Sequence, residues 1–301
     1  MPDAAALERI LDELPAKPFL VGERGVSMSL AGVQEKLPVF VGENGAISIP
    51  VDGTPFTHIL KPDSRRLAGS VENEAFCLAL ARACGLEGAE ATICVADRRR
   101  YLLVKRYDRF TDPQNEIRRL HQEDLCQLTG HFPSQKYECS STGQGVTLKM
   151  MFQAVSDLAS PAERMTLLDA VILNVLICNS DSHAKNYSIL IGAGGSAKMA
   201  PLYDLMCAAV YPAVDQSLPQ GIAGRISAAD LQKADWQALA ADIGLSRAST
   251  VRRVADLAEL VAARCADVAS QVADLAGDPA RVLERVTHQI QKRCRRIQAD
   301  C

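Results

Sequence analysis

Residues 162–178 place apolar side chains around almost every face of a helical turn. A surface helix keeps one polar side, so such a segment belongs at the centre of a lobe, and it delivers the residues after it to a fixed place. Those residues are Asn179-Ser180-Asp181-Ser182-His183-Ala184-Lys185-Asn186, then a short apolar stretch of hairpin character, then Pro201-Leu202-Tyr203-Asp204-Leu205. A carboxylate, an amide a few positions on and a second carboxylate beyond a hairpin form the set that phosphoryl transfer uses. One acid takes the proton of the attacking hydroxyl, while the amide and the second acid hold magnesium against nucleotide phosphates. Asp and Asn are also ordinary turn residues, and the motif alone reads as well as a polar loop closing a buried helix.

The chain around it is that of an ordinary soluble globular protein. At 301 residues, 48% hydrophobic and 23% charged, it is long enough for one large domain or for two lobes sharing a cleft. A net charge of −3 gives no support to wholesale nucleic-acid binding. Ten cysteines without a C-x-x-C pair fit buried thiols in a reducing cytoplasm. The acidic, helical N-terminal segment lacks the pattern of a secretory signal. The most apolar run, residues 166–178, is too short to span a bilayer and is interrupted by Asp169 and Asn174.

Residues 1–16 read as an amphipathic helix ending in the Pro15 to Pro18 region. Val26-Ser27-Met28-Ser29-Leu30 then alternates like a strand, Ala31-Gly32-Val33-Gln34-Glu35-Lys36 turns, and Leu37-Pro38-Val39-Phe40 resumes; Asn44-Gly45 marks another hairpin before a strand at 46–50. A turn of small residues between strands can lay its N–H groups over phosphates. With a single Gly, this one also fits a plain hairpin turn. An apolar strand at 57–62 carries Lys61 near its end, and a helix is expected over 70–84, with Ser70 as N-cap and Glu72 and Glu74 in its first turn. Those acids suit the positive helix end, and a lone strand lysine commonly snorkels to solvent. Strand lysine followed by helix glutamate is nonetheless the small-lobe order of a protein kinase. Strands at 91–96 and 100–106 flank the turn Asp97-Arg98-Arg99; the second turns polar at Lys105-Arg106-Tyr107-Asp108-Arg109, where a connector between lobes would bond an adenine edge. From there to Leu120 no pattern is visible.

From His121 the period becomes helical. A short helix is expected to start at His121-Gln122-Glu123-Asp124, followed by a Ser/Gly/Pro-rich loop over 130–145 containing Lys136-Tyr137-Glu138. Helices are expected at 148–159 and 162–178, two short ones around Leu231 to Ile243, and two long ones at 251–276 and 279–297. The last is basic, which most simply marks a solvated face.

The order of these pieces matches one architecture, and the chain resembles the HipA family of toxin serine/threonine kinases over residues 27–245. The resemblance rests on Ser29-Leu30-Ala31-Gly32-Val33-Gln34-Glu35-Lys36, Val71-Glu72-Asn73-Glu74, Lys105-Arg106-Tyr107-Asp108-Arg109, Gln122-Glu123-Asp124, the segment from Asn179 to Asn186, and Ala200-Pro201-Leu202-Tyr203-Asp204. It implies an α+β, bilobal protein-kinase-like fold, with an antiparallel-sheet N-lobe over 1–107 and a mostly helical C-lobe over 108–301. It further implies ATP and Mg2+ as cofactors and Asp181 as catalytic base, with Asn186 and Asp204 as metal ligands. Lys61 and the loop Leu30, Ala31, Gly32, Val33, Gln34, Glu35 and Lys36 would hold the phosphates. Lys105, Tyr107 and Asp108 would line the nucleotide at the hinge. Ser29 would be autophosphorylated, silencing the enzyme.

The same resemblance implies a cytoplasmic toxin-antitoxin system. Its partners would be a helix-turn-helix, HipB-like antitoxin and an aminoacyl-tRNA synthetase as protein substrate, with DNA reached only through the antitoxin. Long members begin with an additional small domain, whereas this chain starts almost at the phosphate loop. It therefore resembles the short, HipT-like branch, in which a separate HipS-like protein supplies that domain. Ordinary protein kinases carry a lysine two residues after the catalytic Asp; here that position is His183, and Lys185 is expected to steady the transferring phosphate. A small-molecule hydroxyl kinase and a pseudokinase-type regulatory binding protein are the alternative readings.

Overall fold

The computed structural model describes residues 2–15, 35–51, 54–140, 143–276 and 280–300. The turn from Leu30 to Gln34 and the proposed modification site Ser29 lie outside the described residues.

The first lobe is a five-stranded antiparallel sheet. Its strands are β1 (Leu37–Val41), β2 (Ile47–Ser48), β3 (His58–Pro62), β4 (Ala91–Ala96) and β5 (Arg99–Lys105), in the order β2-β1-β3-β5-β4. Alternation decides its two faces. Tyr101 and Leu103 of β5 point to helix α1 (Ala4–Glu13) and join Leu7, Leu11, Leu14, Leu37 and Leu60 in a small core. Leu102 and Val104 point to the other side, into the main core beside α2 (Ser70–Ala83).

Helix α2 is buried along nearly its whole length because it has cover on two sides: β4 and β5 above, and the long helices α7 (Arg247–Ala276) and α8 (Ala280–Asp300) below. Its N-terminus differs from the sequence expectation. The N-cap is Gly69, left-handed at φ 77°, and Ser70 is the first helical residue. The Asp63 carboxylate does the capping, accepting from the Gly69 and Val71 N–H groups and from the Ser70 hydroxyl. A Cβ at Gly69 would stand 2.9 Å from a Val282 methyl of α8, so glycine serves both the backbone angle and the close helix approach.

Past β5, β6 (Arg109–Thr111) and β7 (Ile117–Arg119) make a polar hairpin, and β8 (His121–Asp124) comes at once. Residues 121–124, expected to begin a helix, are instead an edge strand on β11 (Ser188–Ile191), itself paired with β12 (Ala197–Met199) in the order β12-β11-β8. The helix, α3 (Leu125–Leu128), starts only afterwards, N-capped by Asp124 in a capping box with Gln127. Two small hairpins, β9 (Cys139–Ser140) with β10 (Gly143–Gln144) and β13 (Ser217–Ile222) with β14 (Arg225–Ser227), sit among α4 (Leu148–Leu158), α5 (Pro161–Leu176) and α6 (Lys233–Asp242). One helix, α6, forms where two short ones were expected, preceded by a single 3-10 turn at Ala228–Asp230.

The buried-helix expectation holds for α5: Leu167, Leu168, Ile172, Leu173 and Leu176 are fully enclosed. Pro161 at its first turn and Glu163 beside it suit the N-terminal end. Cys178, at φ 58°, turns the chain out of the helix toward Asp181. Every described cysteine is free, and among the described residues no helix is long and apolar enough to cross a membrane.

Candidate functional site

Three segments bring charge together between the lobes. β3 supplies Lys61, buried to 4% exposure, and α2 supplies Glu74, buried to 2%. The turn after β12 supplies Asp204, at φ 52°. The Lys61 ammonium donates to Glu74 Oε1 at 2.6 Å and to Asp204 Oδ1. Burial alone would lower the Lys61 pKa, but the two carboxylates outweigh it and hold the ammonium above its ordinary value. Burial likewise works against the Asp204 carboxylate, and Lys61 and Lys36 overcome it, so Asp204 stays ionised. Lys36, at the edge of the expected phosphate loop, is itself buried against this group, and burial followed by Lys61 depresses its pKa. Glu35 beside it is half-buried, with Oε2 enclosed and unpartnered.

The second cluster is the loop after α5. Asp181 is exposed, and its backbone is fixed: its N–H donates to Asn179 Oδ1 at 3.2 Å, and its carbonyl accepts from Asn186 Nδ2 at 2.8 Å. Asn179 Nδ2 donates to Asn174 Oδ1 at 2.8 Å and reaches the Asp204 carbonyl at 3.4 Å, so one buried amide ties the Asp181 loop to the Asp204 turn. The Asp181 carboxylate accepts the Tyr137 hydroxyl at 2.5 Å. Lys136 donates to His183 Nε2 at 2.8 Å, and the Tyr137 ring stands edge-on to His183 at 5.1 Å.

The remaining expected residues fall in other places. Lys185 donates to Asp124 Oδ2 at 2.6 Å, and its carbonyl accepts from the Tyr203 hydroxyl at 2.7 Å. At the end of β5, the Lys105 N–H goes to the Glu90 carbonyl and the Arg106 N–H to the Thr57 carbonyl, residues just before β4 and β3. The Lys105 ammonium is exposed beside Glu90. Tyr107 packs on Tyr203 with ring centroids 5.9 Å apart. Asp108 does not present a free carboxylate. It is 1% exposed and accepts from Arg106 at 2.8 and 2.5 Å and from Arg109 at 2.6 Å, which makes it the anchor of the turn after β5.

Sequence reasoning gave no role to Asn73, Asp124, Lys136, Tyr137 or Asn179. Asn73 and Asn179 lie inside quoted motifs, and their burial is what marks them. Lys136 and Tyr137 sit in a loop without period.

Asp204 and Asn186 offer hard oxygen donors of the kind magnesium prefers. Among the described residues no three His, Cys, Asp or Glu side chains could hold a metal alone. An ion here would take its remaining ligands from phosphates and water, as magnesium does in nucleotide sites.

Residues 28–269 match the HipA-like C-terminal domain family. The Sinorhizobium fredii protein Y4mE is 40% identical over 282 residues, covering 93% of this chain and 66% of Y4mE. The serine/threonine-protein kinase toxin HipA of Shewanella oneidensis is 29% identical over 280 residues, covering 89% of this chain and 64% of HipA. The chain thus spans just under two thirds of these relatives' length. Among solved structures, the Shewanella oneidensis HipA in complex with HipB and operator DNA superposes with a TM-score of 0.82 at 25% identity, covering 96% of this chain and 70% of that one. The Helicobacter pylori proinflammatory kinase CtkA superposes at 0.54 with 13% identity, over 90% of this chain and 93% of its own, a likeness of fold alone. With the kinase-like fold and the Lys61–Glu74–Asp204 ion-pair group in place, the match settles the lineage: this chain belongs to the HipA-like C-terminal domain family.

Proposed function

We propose that this protein is an ATP- and magnesium-dependent serine/threonine protein kinase, acting as the toxin of a toxin-antitoxin system. The observation that carries the reading is the ion-pair group of Lys61, Glu74 and Asp204, with the Asp204 turn tied through the Asn179 amide to the loop of Asp181 and Asn186. In this reading Glu74 and Asp204 hold Lys61 where phosphate oxygens would arrive, and Asp204 and Asn186 would hold magnesium, which would offset phosphate charge. Asp181, exposed on a fixed backbone, accepts the proton of the attacking hydroxyl. Lys36 adds a second buried cation on the phosphate side.

The aminoacyl-tRNA synthetase substrate, autophosphorylation at Ser29, a HipS-like companion and nucleotide contacts at Lys105 and Tyr107 are proposals carried by family resemblance. A helix-turn-helix antitoxin partner is supported by the solved HipA relative, whose structure contains HipB and operator DNA.

The test is transfer of labelled phosphate from ATP and magnesium to proteins of a cell lysate, with Asp181→Asn and Asp204→Asn as controls. Each variant should lose roughly a hundredfold or more in turnover while remaining folded. Asp204→Asn alone should weaken Mg·ATP binding. Normal turnover in either variant removes the assignment, and label on small molecules rather than protein moves it to the small-molecule kinase.

A further inference from the structure

The segment that carries Lys136 and Tyr137 is stapled to the catalytic loop. The Lys136 carbonyl accepts the Ala184 N–H at 3.1 Å and Gln220 Nε2 at 2.9 Å. Glu138 donates its N–H to the Pro219 carbonyl at 2.9 Å and accepts the Gly221 N–H on Oε2 at 2.6 Å. The chain then returns past its own backbone at Gly145, where a Cβ would stand 2.0 Å from the Tyr137 carbonyl oxygen and 2.3 Å from that of Gln135. Only glycine passes there, so the two side chains are delivered to fixed positions.

Lys136 Nζ reaches His183 Nε2 at 2.8 Å, and His183 Nε2 lies 3.9 Å from Asp181 Oδ1. An ammonium has only donors, so Nε2 must accept and the imidazole proton must sit on Nδ1. That Nδ1 is buried without a hydrogen-bond partner in a residue 7% exposed. His183 is therefore a neutral ring whose accepting nitrogen aims the lysine beside the Asp181 carboxylate. In ordinary protein kinases the position two residues after the catalytic Asp is itself a lysine. Here a cation from another loop meets the side chain at that position, while Lys185 is engaged by Asp124 at 2.6 Å, a carboxylate that also caps α3.

We propose that Lys136 is a catalytic lysine of this site, contacting the phosphoryl group during transfer, and that His183 is its positioning residue. The inference rests on the kinase reading and replaces Lys185 in that role. In the step, a bond forms between the acceptor oxygen and the γ-phosphorus. The bond from that phosphorus to the β–γ bridging oxygen breaks, its electron pair leaving on ADP. The acceptor's proton goes to Asp181. Lys136 keeps its proton throughout and offsets the charge spread over the transferring oxygens.

The test is calorimetric binding of Mg·ADP with and without aluminium fluoride, a planar stand-in for the transferring group, alongside steady-state phosphotransfer. The parent should gain affinity when fluoride is added. Lys136→Ala and Lys136→Met, the second keeping the packed stem, should lose about tenfold or more of that gain while binding Mg·ADP within about threefold of the parent. Their kcat should fall about a hundredfold with little change in KM for ATP. Lys136→Arg should keep part of both, and Lys185→Ala should keep the fluoride gain. A folded Lys136→Met with the full gain overturns the proposal, as does a Lys185→Ala that loses it instead. Failure of the kinase reading looks different: the parent itself would not bind Mg·ADP, and both ideas would fall together.

Discussion

The carboxamide of Asn73 holds the backbone of Cys207 from both sides, donating from Nδ2 to its carbonyl at 3.0 Å and accepting its N–H on Oδ1 at 2.8 Å. Asn73 is fully buried, next to Glu74 on α2, and Cys207 lies one turn of chain beyond Asp204. The helix that positions Lys61 and the segment that carries Asp204 are therefore latched to each other by a side chain that touches neither the lysine nor the acid.

Asn73→Leu, near in size, should break the latch. It leaves the Cys207 N–H and carbonyl without partners, at about 1–3 kcal/mol for each buried group. Urea unfolding should show the loss, and phosphotransfer should drop in the folded fraction. Cys207→Ala keeps both backbone bonds and should retain activity. Equal damage from the two variants would contradict the latch.

Asp108→Ala should cost about 3–5 kcal/mol, since it leaves Arg106 and Arg109 buried without their counter-charge. Burial works to raise the Asp108 pKa, and the two guanidiniums outweigh it, holding the carboxyl below its ordinary value. A carboxylate lowered in this way contributes fully above the unfolded pKa of about 3.9. The contribution is lost as pH falls through the lower folded value. The acid-unfolding limb should accordingly flatten in Asp108→Asn, read by circular dichroism below about pH 4.

His183 gives a second, separate pH window. Burial, reinforced by Lys136 against the opposing pull of Asp181, pushes its pKa from 6.5 down to about 4. The unfolded chain therefore binds the proton first, so stability is whole above pH 6.5 and falls as pH drops toward 4, where the loss levels off. The slope should approach about 1.4 kcal/mol per pH unit inside the window. Urea midpoints measured between neutral and acid pH should show this in the parent and not in His183→Gln.

Ser29 should carry phosphate in protein expressed with Asp181 intact and none in Asp181→Asn, and the modified form should be inactive. A dianion beside the proposed phosphate turn would compete with ATP phosphates for the same N–H groups. Mass spectrometry decides it: phosphate on both samples means another kinase added it, and absence from both removes the serine from the mechanism.

Much of this site could be read from letters because its parts sit at element ends with strong local signals. α5 announced itself by apolar residues on nearly every face, and the chain leaves its end directly into the loop of Asp181 and Asn186. Lys61 and Glu74 were legible as strand-then-helix, although Ser70 misled because the cap comes from Asp63, seven positions upstream. His121 to Asp124 looked helical because Gln, Glu and Asp tolerate a helix start; pairing with β11 overrode that preference. The β6–β7 and β13–β14 hairpins are too short and polar to show alternation. Lys136 and Tyr137 were out of reach for a different reason. Their role depends on Ala184, Gln220 and Gly145, contacts that no sequence period records.

The cover over α2 has a consequence for biosynthesis. The Glu74 helix belongs to the first lobe, yet its far side is closed by α7 and α8, which the ribosome makes much later. Until residues 247–300 have emerged, the nascent chain leaves that apolar side of α2 uncovered. Packing of α2, and with it the setting of the first lobe, therefore waits on the last helices of the described chain.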